Sequence, residues 1–187
     1  MILSLTGPSG VGKTTLLHHL LRALPGSGPL ISYTTRTRRQ GDEPGEYRYV
    51  GEEEFEAMHA RGEFLWVARP HGKKYATREE DIGRALAGGV YMPILLIDAA
   101  KQLRAYAAQA GKADAMRSLY IRLEDEAELR RRFAKRGDSL EAAEARIAEC
   151  RSWNQEAASS GVPFIYIDGR KTPEEMLADA LAALTPR

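Results

Sequence analysis

The chain reads as an α/β protein with a parallel sheet. Three observations carry that reading. A short, apolar, β-prone run opens the chain at residues 2–6. Further β-prone runs then alternate with helically spaced segments, down to a last pair at residues 164–167 and 173–184. Nothing divides the chain: there is no internal repeat, low-complexity tract or long linker. Strands alternating with helices place the helices over a parallel sheet. A length of 187 residues suits one compact domain with insertions, and such a chain buries roughly 70% of its unfolded surface, so neither disulfides nor a structural metal is needed. The single cysteine, Cys150, excludes an internal disulfide and fits a reducing compartment.

The elements follow in order. Residues 2–6 form the first expected strand. Leucines at 16, 17, 20, 21 and 24 share a helical spacing and predict a helix over 15–24. Pro25-Gly-Ser-Gly-Pro29 is a dense breaker cluster that ends it. Residues 30–35 read as a second strand, the glycines and proline of 41–45 as a turn, and 47–50 as a short strand. The segment 52–61 is acidic at its start and basic at its end, as a helix dipole prefers. A β-prone run at 64–68 precedes a turn at 71–75 and a helix from about 78. The apolar run 90–97 predicts a buried strand leading into Asp98, with a helix over 101–110. A strand at 119–123, a strongly basic helix at 126–135, a break at Gly137-Asp-Ser and a helix at 140–158 come next. The final helix carries Pro173 in its first turn.

Composition excludes several classes of function. With 27 basic and 26 acidic residues the net charge is +1, against a dedicated nucleic-acid binder. No apolar run approaches the roughly 20 residues that span a membrane, and no basic region precedes the short apolar N-terminus as a signal peptide requires. A cytoplasmic protein without membrane or nucleic-acid partners is expected.

One motif carries chemistry directly. Gly7, Pro8, Ser9, Gly10, Val11, Gly12, Lys13 and Thr14 match G-x-x-x-x-G-K-[ST], between the first strand and the first helix. That order of strand, glycine loop and helix defines a P-loop NTPase fold of three layers. Its backbone N–H groups form a nest for phosphate oxygens at a helix N-terminus. Lys13 is expected to reach the β- and γ-phosphates of ATP, Thr14 to ligate Mg2+, and Thr15 to complete the loop.

A second cluster, Ser32-Tyr-Thr-Thr-Arg36-Thr-Arg-Arg39, sets three arginines and several hydroxyls beside the second strand. Arginine grips phosphate bidentately and hydroxyls add directional bonds, so this cluster predicts a site for a phosphorylated acceptor. Tyr47 and Tyr75 are placed to donate phenolic hydrogen bonds to the same anion. Asp98, at the end of an expected strand, reads as an acceptor contact, as a group acting on magnesium through its ligands, or as a helix N-cap.

GPSGVGKTTLL, TTRTRRQGDEPGEYRYV, the GEF…HGKKYAT segment and RRRFAKRGD together resemble the guanylate kinases, in order and spacing, over nearly the whole chain. The resemblance implies one domain over residues 1–187, with a core of 1–32, 84–124 and 151–187, an acceptor-binding insertion of 33–83 and a helical lid of 125–150. It implies that Ser32, Arg36, Arg39, Tyr47 and Tyr75 hold the acceptor monophosphate and that Thr77 meets the base. Arg132, Arg136 and Arg146 fall where lid and neighbouring arginines reach the transferring phosphates. GMP is the implied acceptor, and a monomer or homodimer the implied assembly.

The chain departs from the family where guanine is read. Trp66 stands in place of a carboxylate after the G-x-F stretch, and Leu96 in place of the first acid of the L-D-x-D strand end. Glu63 precedes Trp66 by three residues, an offset that on a regular strand points it to the other face. The WVARPHG run resembles kinases of ribose 1,5-bisphosphate, which have no base to read, so a sugar phosphate is the alternative acceptor. A non-catalytic interaction module of the same fold is a third reading, and the intact loop opposes it.

Overall fold

The computed structural model describes residues 1–38, 42 and 44–184. Among them, in chain order, come β1 (Ile2–Thr6), α1 (Lys13–Ala23), β2 (Ser27–Pro29), β3 (Ser32–Thr34), β4 (Tyr47–Tyr49), α2 (Glu52–Ala60), β5 (Phe64–Ala68), β6 (Tyr75–Arg78) and α3 (Glu79–Ala87). Then follow β7 (Val90–Met92), α4 (Ile97–Gln109), β8 (Met116–Arg122), α5 (Glu126–Lys135), α6 (Leu140–Ser159), β9 (Ile165–Asp168) and α7 (Pro173–Ala182). Two compact units are present, one of residues 1–3 and 26–116, the other of 4–25 and 117–187. Strand β1 is common to both, and hydrogen bonding gives a five-stranded sheet in the order β2-β7-β1-β8-β9.

The unit of residues 1–3 and 26–116 contains a second, four-stranded sheet in the order β4-β3-β6-β5. β3 runs parallel to β4 and antiparallel to β6, which is antiparallel to β5. Side chains alternate across a strand and paired residues share a face. One face therefore carries Tyr33, Val67 and Ala76, which pack with Phe64 on Phe55 and Met58 of α2. Phe55 and Phe64 are 4.9 Å apart between ring centroids, and Tyr33 and Phe64 5.7 Å. The opposite face carries Ser32, Thr34, Tyr47, Tyr49, Tyr75, Thr77 and Trp66. The apolar stack under the first face backs the surface that presents these polar groups.

The unit of residues 4–25 and 117–187 is built around β8, whose buried Leu119, Tyr120 and Ile121 pair in parallel register with Ile165, Tyr166 and Ile167 of β9. Tyr120 lies 5.4 Å from the Phe164 ring, and its hydroxyl donates to Asn154 Oδ1 at 2.9 Å. Helix α1 buries Leu16, Leu17 and Leu20 and packs on α7. Helices α5 and α6 pack together and are laced at the surface by Arg130 to Glu144 at 2.6 Å and by Arg151 to Glu126.

Four segments differ from expectation. The breaker cluster 25–29 contains β2, which pairs with β7 as an edge strand, the setting in which a strand tolerates proline. Residues 75–78, expected as the end of a turn leading into a helix, form β6, paired on both sides. The expected strand 90–97 stops at Met92, because Pro93 has no N–H to continue the ladder. Helix α4 accordingly starts at Ile97 rather than at 101.

Candidate active site

In the unit of residues 4–25 and 117–187, the loop of residues 7–12 runs from the end of β1 to the start of α1. Gly7 has φ 147° and Gly10 φ 84°, both in the region that favours glycine. A Cβ on Gly7 would lie 2.7 Å from the Ile121 carbonyl oxygen, and one on Gly10 2.7 Å from the Phe133 ring. The motif glycines are thus required by close approach of β8 and α5 as well as by turn geometry.

Helix α1 is distinctive at its start. Helices α5, α6 and α7 of the same unit are capped by the side chains of Asp125, Ser139 and Thr172. The N-cap of α1 is Gly12, which offers no side chain, and the first turn of α1 holds no acid. Its opening N–H groups are therefore available to an external anion, which the helix dipole favours. Thr14 and Thr15 are exposed in that first turn, where the Thr14 hydroxyl is free of burial constraints and suits a hard cation. An ATP phosphate with Mg2+ therefore fits these residues.

Lys13 Nζ donates to the carbonyl oxygens of Gly7 and Pro8, both at 2.6 Å. Burial lowers its pKa to about 8; the charge of Arg136 adds to the lowering, while Cys150 and Glu149 oppose it. Arg132 reaches the loop from α5. Its Nη1 lies 3.3 Å from the Val11 carbonyl and 3.5 Å from that of Gly10, its Nη2 donates to Gly169 O at 2.8 Å, and its Nε to Glu128 at 2.7 Å. Arg131 and Arg132 together hold the Glu128 carboxyl down at about 2. Arg146 pairs with Asp138 at 3.3 Å, and its guanidinium lies 5.6 Å from the Phe133 ring centroid. Lys13, Arg132 and Arg136 are thus brought to one loop, and Arg146 joins them through Phe133.

Two neighbours of the loop were not singled out from the sequence as functional. Phe133 is fully buried against Gly10. Cys150 is buried with Sγ 3.9 Å from the Ser9 carbonyl, and burial pushes its thiol up to about 11. The glycine in the loop is the signal for Phe133, since something must occupy the space of its missing Cβ. No motif flags Cys150.

In the unit of residues 1–3 and 26–116, Ser32, Tyr47, Tyr75 and Thr77 share the polar face of the four-stranded sheet. The Arg36 guanidinium is buried and stacks 4.3 Å from the Tyr47 ring centroid. Tyr47 and Tyr75 meet edge to face at 6.4 Å. Burial, and then the neighbouring Glu46, raise the Tyr47 pKa, so its hydroxyl stays a donor at neutral pH. Arg36 forms a bidentate pair with Asp42, Nη1 to Oδ2 at 2.7 Å and Nη2 to Oδ1 at 2.6 Å, and Nη1 also donates to Thr37 O at 2.9 Å. That pairing with Asp42 raises the Arg36 pKa above its ordinary value. The Tyr49 hydroxyl donates to Asp42 at 2.5 Å. Arg39 lies outside the described residues.

The positions expected to meet the base are less polar. Trp66 is buried and sits directly opposite Thr77, itself buried. A bulge between Phe64 and Trp66 inserts a residue, so plain alternation does not extend back to Glu63. Glu63 is in any case engaged by Arg61 at 2.7 Å and Arg78 at 3.4 Å. Asp98 is not at a strand end: it lies in the first turn of α4, exposed, 3.1 Å from Lys101. Nor is it the N-cap, which is Leu96. A carboxylate that sequence reading passed over, Asp81 on the buried face of α3, binds Arg84 through Oδ1 at 2.5 Å and has no partner at Oδ2.

Comparison with known proteins finds relatives along nearly the whole chain. The sequence profile of the guanylate kinase family matches residues 1–167. The chain is 35% identical over 184 residues to a guanylate kinase of Symbiobacterium thermophilum, covering 97% of this chain and 85% of that protein. It is 34% identical over 186 residues to a guanylate kinase of Oleidesulfovibrio alaskensis, covering 98% and 87%. Among solved structures, the guanylate kinase of Anaplasma phagocytophilum superposes with a TM-score of 0.68 at 23% identity, covering 98% of this chain and 84% of that one. The deoxyadenosine kinase of M. mycoides superposes at 0.52 with 12% identity, covering 98% and 99%. At these identities the two structures speak for the fold alone, an α/β P-loop kinase fold.

Proposed function

The chain belongs to the guanylate kinase family, and from that premise we propose that it transfers the γ-phosphoryl group of ATP to GMP, giving ADP and GDP. Membership makes it a phosphotransferase of the nucleoside monophosphate kinase type. The acceptor reading is carried by one observation: Ser32, Tyr47, Tyr75 and Thr77 line up on one sheet face beside the Arg36 guanidinium. By strand register Ser32, Tyr47 and Thr77 fall in one row across that face and Tyr75 in the next, a compact set of hydroxyls that suits a small phosphorylated acceptor such as a nucleoside monophosphate. The ribose 1,5-bisphosphate alternative suggested by Trp66 finds no support among the relatives, which are guanylate kinases.

The donor nucleotide takes the loop of residues 7–12, with Lys13 at its phosphates and Thr14 and Thr15 at the start of α1. Thr14 would hold Mg2+, which when bound would supply charge neutralisation to the transferring group. Arg132, Arg136 and Arg146 add positive charge as it develops, and residues 125–150 act as the lid that excludes water. Residues 33–83 serve as the acceptor-binding subdomain. An acceptor phosphate oxygen is already ionised at neutral pH, so no general base is required. Such an enzyme works in the cytoplasm, where its nucleotides are; among the described residues no helix is long and apolar enough to cross a membrane.

The test is ADP release from Mg-ATP with GMP, dGMP, AMP, CMP and UMP as acceptors. Preference for the two guanine nucleotides is expected. Equal turnover of a pyrimidine monophosphate, or silence with all five, would refute the assignment.

A further inference from the structure

The acceptor cluster already contains an anion of its own. Asp42 meets Arg36 through both carboxylate oxygens, at 2.6 and 2.7 Å, in the paired geometry that a phosphate also uses on a guanidinium. The pair is withdrawn from water: the side chains of Arg36 and Asp42 are 5% and 10% exposed. Of the five N–H bonds of the guanidinium, two go to Asp42 and one to Thr37 O. The Tyr47 hydroxyl bonds to the guanidinium as well. The Tyr49 hydroxyl fixes Asp42 from the far side at 2.5 Å. Glu46, a second buried carboxylate, bonds to Tyr47. The nearby ammonium of Lys74 is paired with Glu52 and Glu56 at 2.5 Å each. A phosphate dianion entering there would meet a like charge at contact distance, without water to screen it, and would find the fork already filled.

We propose that Asp42 is an internal competitor for the acceptor phosphate, its carboxylate holding the Arg36 fork until the phosphate displaces it. The proposal rests on the acceptor assignment above and adds a regulation of that site. Acceptor affinity is set by an exchange of one anion for another on the same guanidinium. The two fork bonds gained with phosphate offset two lost with Asp42, so the surplus comes from the extra charge and from the hydroxyls of Ser32, Tyr47 and Tyr75. Such an exchange also keeps small anions of single charge from occupying the site, because they offer no gain over Asp42.

Asp42→Asn keeps the shape and removes the charge. Calorimetric titration of the full-length protein with inorganic phosphate, and separately KM for GMP, are read in wild type and variant. The expected result is a phosphate Kd and an acceptor KM each lowered roughly tenfold, the effect of weakening a charged hydrogen-bonded pair, with KM for ATP unchanged. An unchanged or raised phosphate Kd overturns the proposal and makes Asp42 a group that merely positions Arg36. Should Asp42→Asn melt at a temperature well below wild type, Tyr49→Phe carries the test. It removes only the hydroxyl that steadies Asp42, so a phosphate Kd lowered severalfold is expected, and no change or a rise refutes. Tighter phosphate binding by Asp42→Asn in a protein that never phosphorylates GMP would sink the acceptor assignment and leave the competition intact. GMP turnover with a phosphate Kd unmoved by the variants would do the reverse.

Discussion

Lys13 is the side chain on which pH acts most directly. Without nucleotide its ammonium is buried on the Gly7 and Pro8 carbonyls, and burial holds its pKa at about 8 instead of 10.5. A phosphate dianion beside it favours the charged form and raises that pKa. Between the two values, nucleotide binding takes up a proton, so affinity falls as pH rises above about 8, by at most about tenfold per pH unit. Calorimetry at pH near 9 in two buffers of different ionisation enthalpy should show net proton uptake; a nucleotide Kd that stays flat from neutral pH to beyond 9 would show that Lys13 is not at the phosphates. Stability has its own sign. The unfolded chain binds the Lys13 proton more tightly, so this residue makes folding less favourable below pH 8, and the penalty disappears as pH rises to 10.5. The motif itself was plain in the sequence at this scale, because spacing and residue type define it. The packing of Phe133 and Cys150 against the loop was not, since Gly10 is separated from Phe133 by more than a hundred residues.

Helices were more legible than strands. Amphipathic spacing, Pro173 in a first turn and the break at Gly137 are local signals, and α1, α5, α6 and α7 lie within a few residues of expectation. The start of α7 is a capping box, with Thr172 and Glu175 bonded reciprocally. Thr172→Ala should cost about 1 kcal/mol, read as a lower Tm with ATP affinity retained, because the cap stabilises α7 without touching the loop. A Tm equal to wild type would mean that packing on α1 alone holds the helix. Strands β2 and β6 escaped notice for a physical reason. Ser27-Gly-Pro29 has no intrinsic preference for a strand, and becomes one only because β7 offers a parallel edge. Tyr75–Arg78 likewise needs β3 and β5 on its two sides. The early end of β7 was also missed, because the apolar run 90–97 outweighed Pro93, whose missing N–H ends the strand at Met92.

Across the whole molecule the candidate groups sort into the two units. Residues 7–15, Arg132, Arg136 and Arg146 belong to one, and Ser32, Arg36, Tyr47, Tyr75, Thr77 and Asp98 to the other. Removing a single acceptor hydroxyl should therefore leave donor binding untouched. Tyr75→Phe keeps the edge contact with Tyr47 and deletes one donor to the acceptor phosphate. Its KM for GMP should rise roughly tenfold, with the Kd for ATP unchanged. A parallel loss of ATP affinity would show that the two sets of groups do not act separately.

The sequence by itself determined the α/β class, the phosphate loop and the family, because each is written in short-range pattern: alternation of elements, fixed spacing of glycines and a lysine, and motifs in order. Only the tertiary structure decided which polar groups share a face and which charges are already matched. Arg36, expected to hold the acceptor phosphate, is paired with Asp42. Asp98 was expected at a strand mouth and instead lies exposed on a helix beside Lys101. Electrostatic pairing and sheet register are set by approach through space, which adjacency along the chain does not encode.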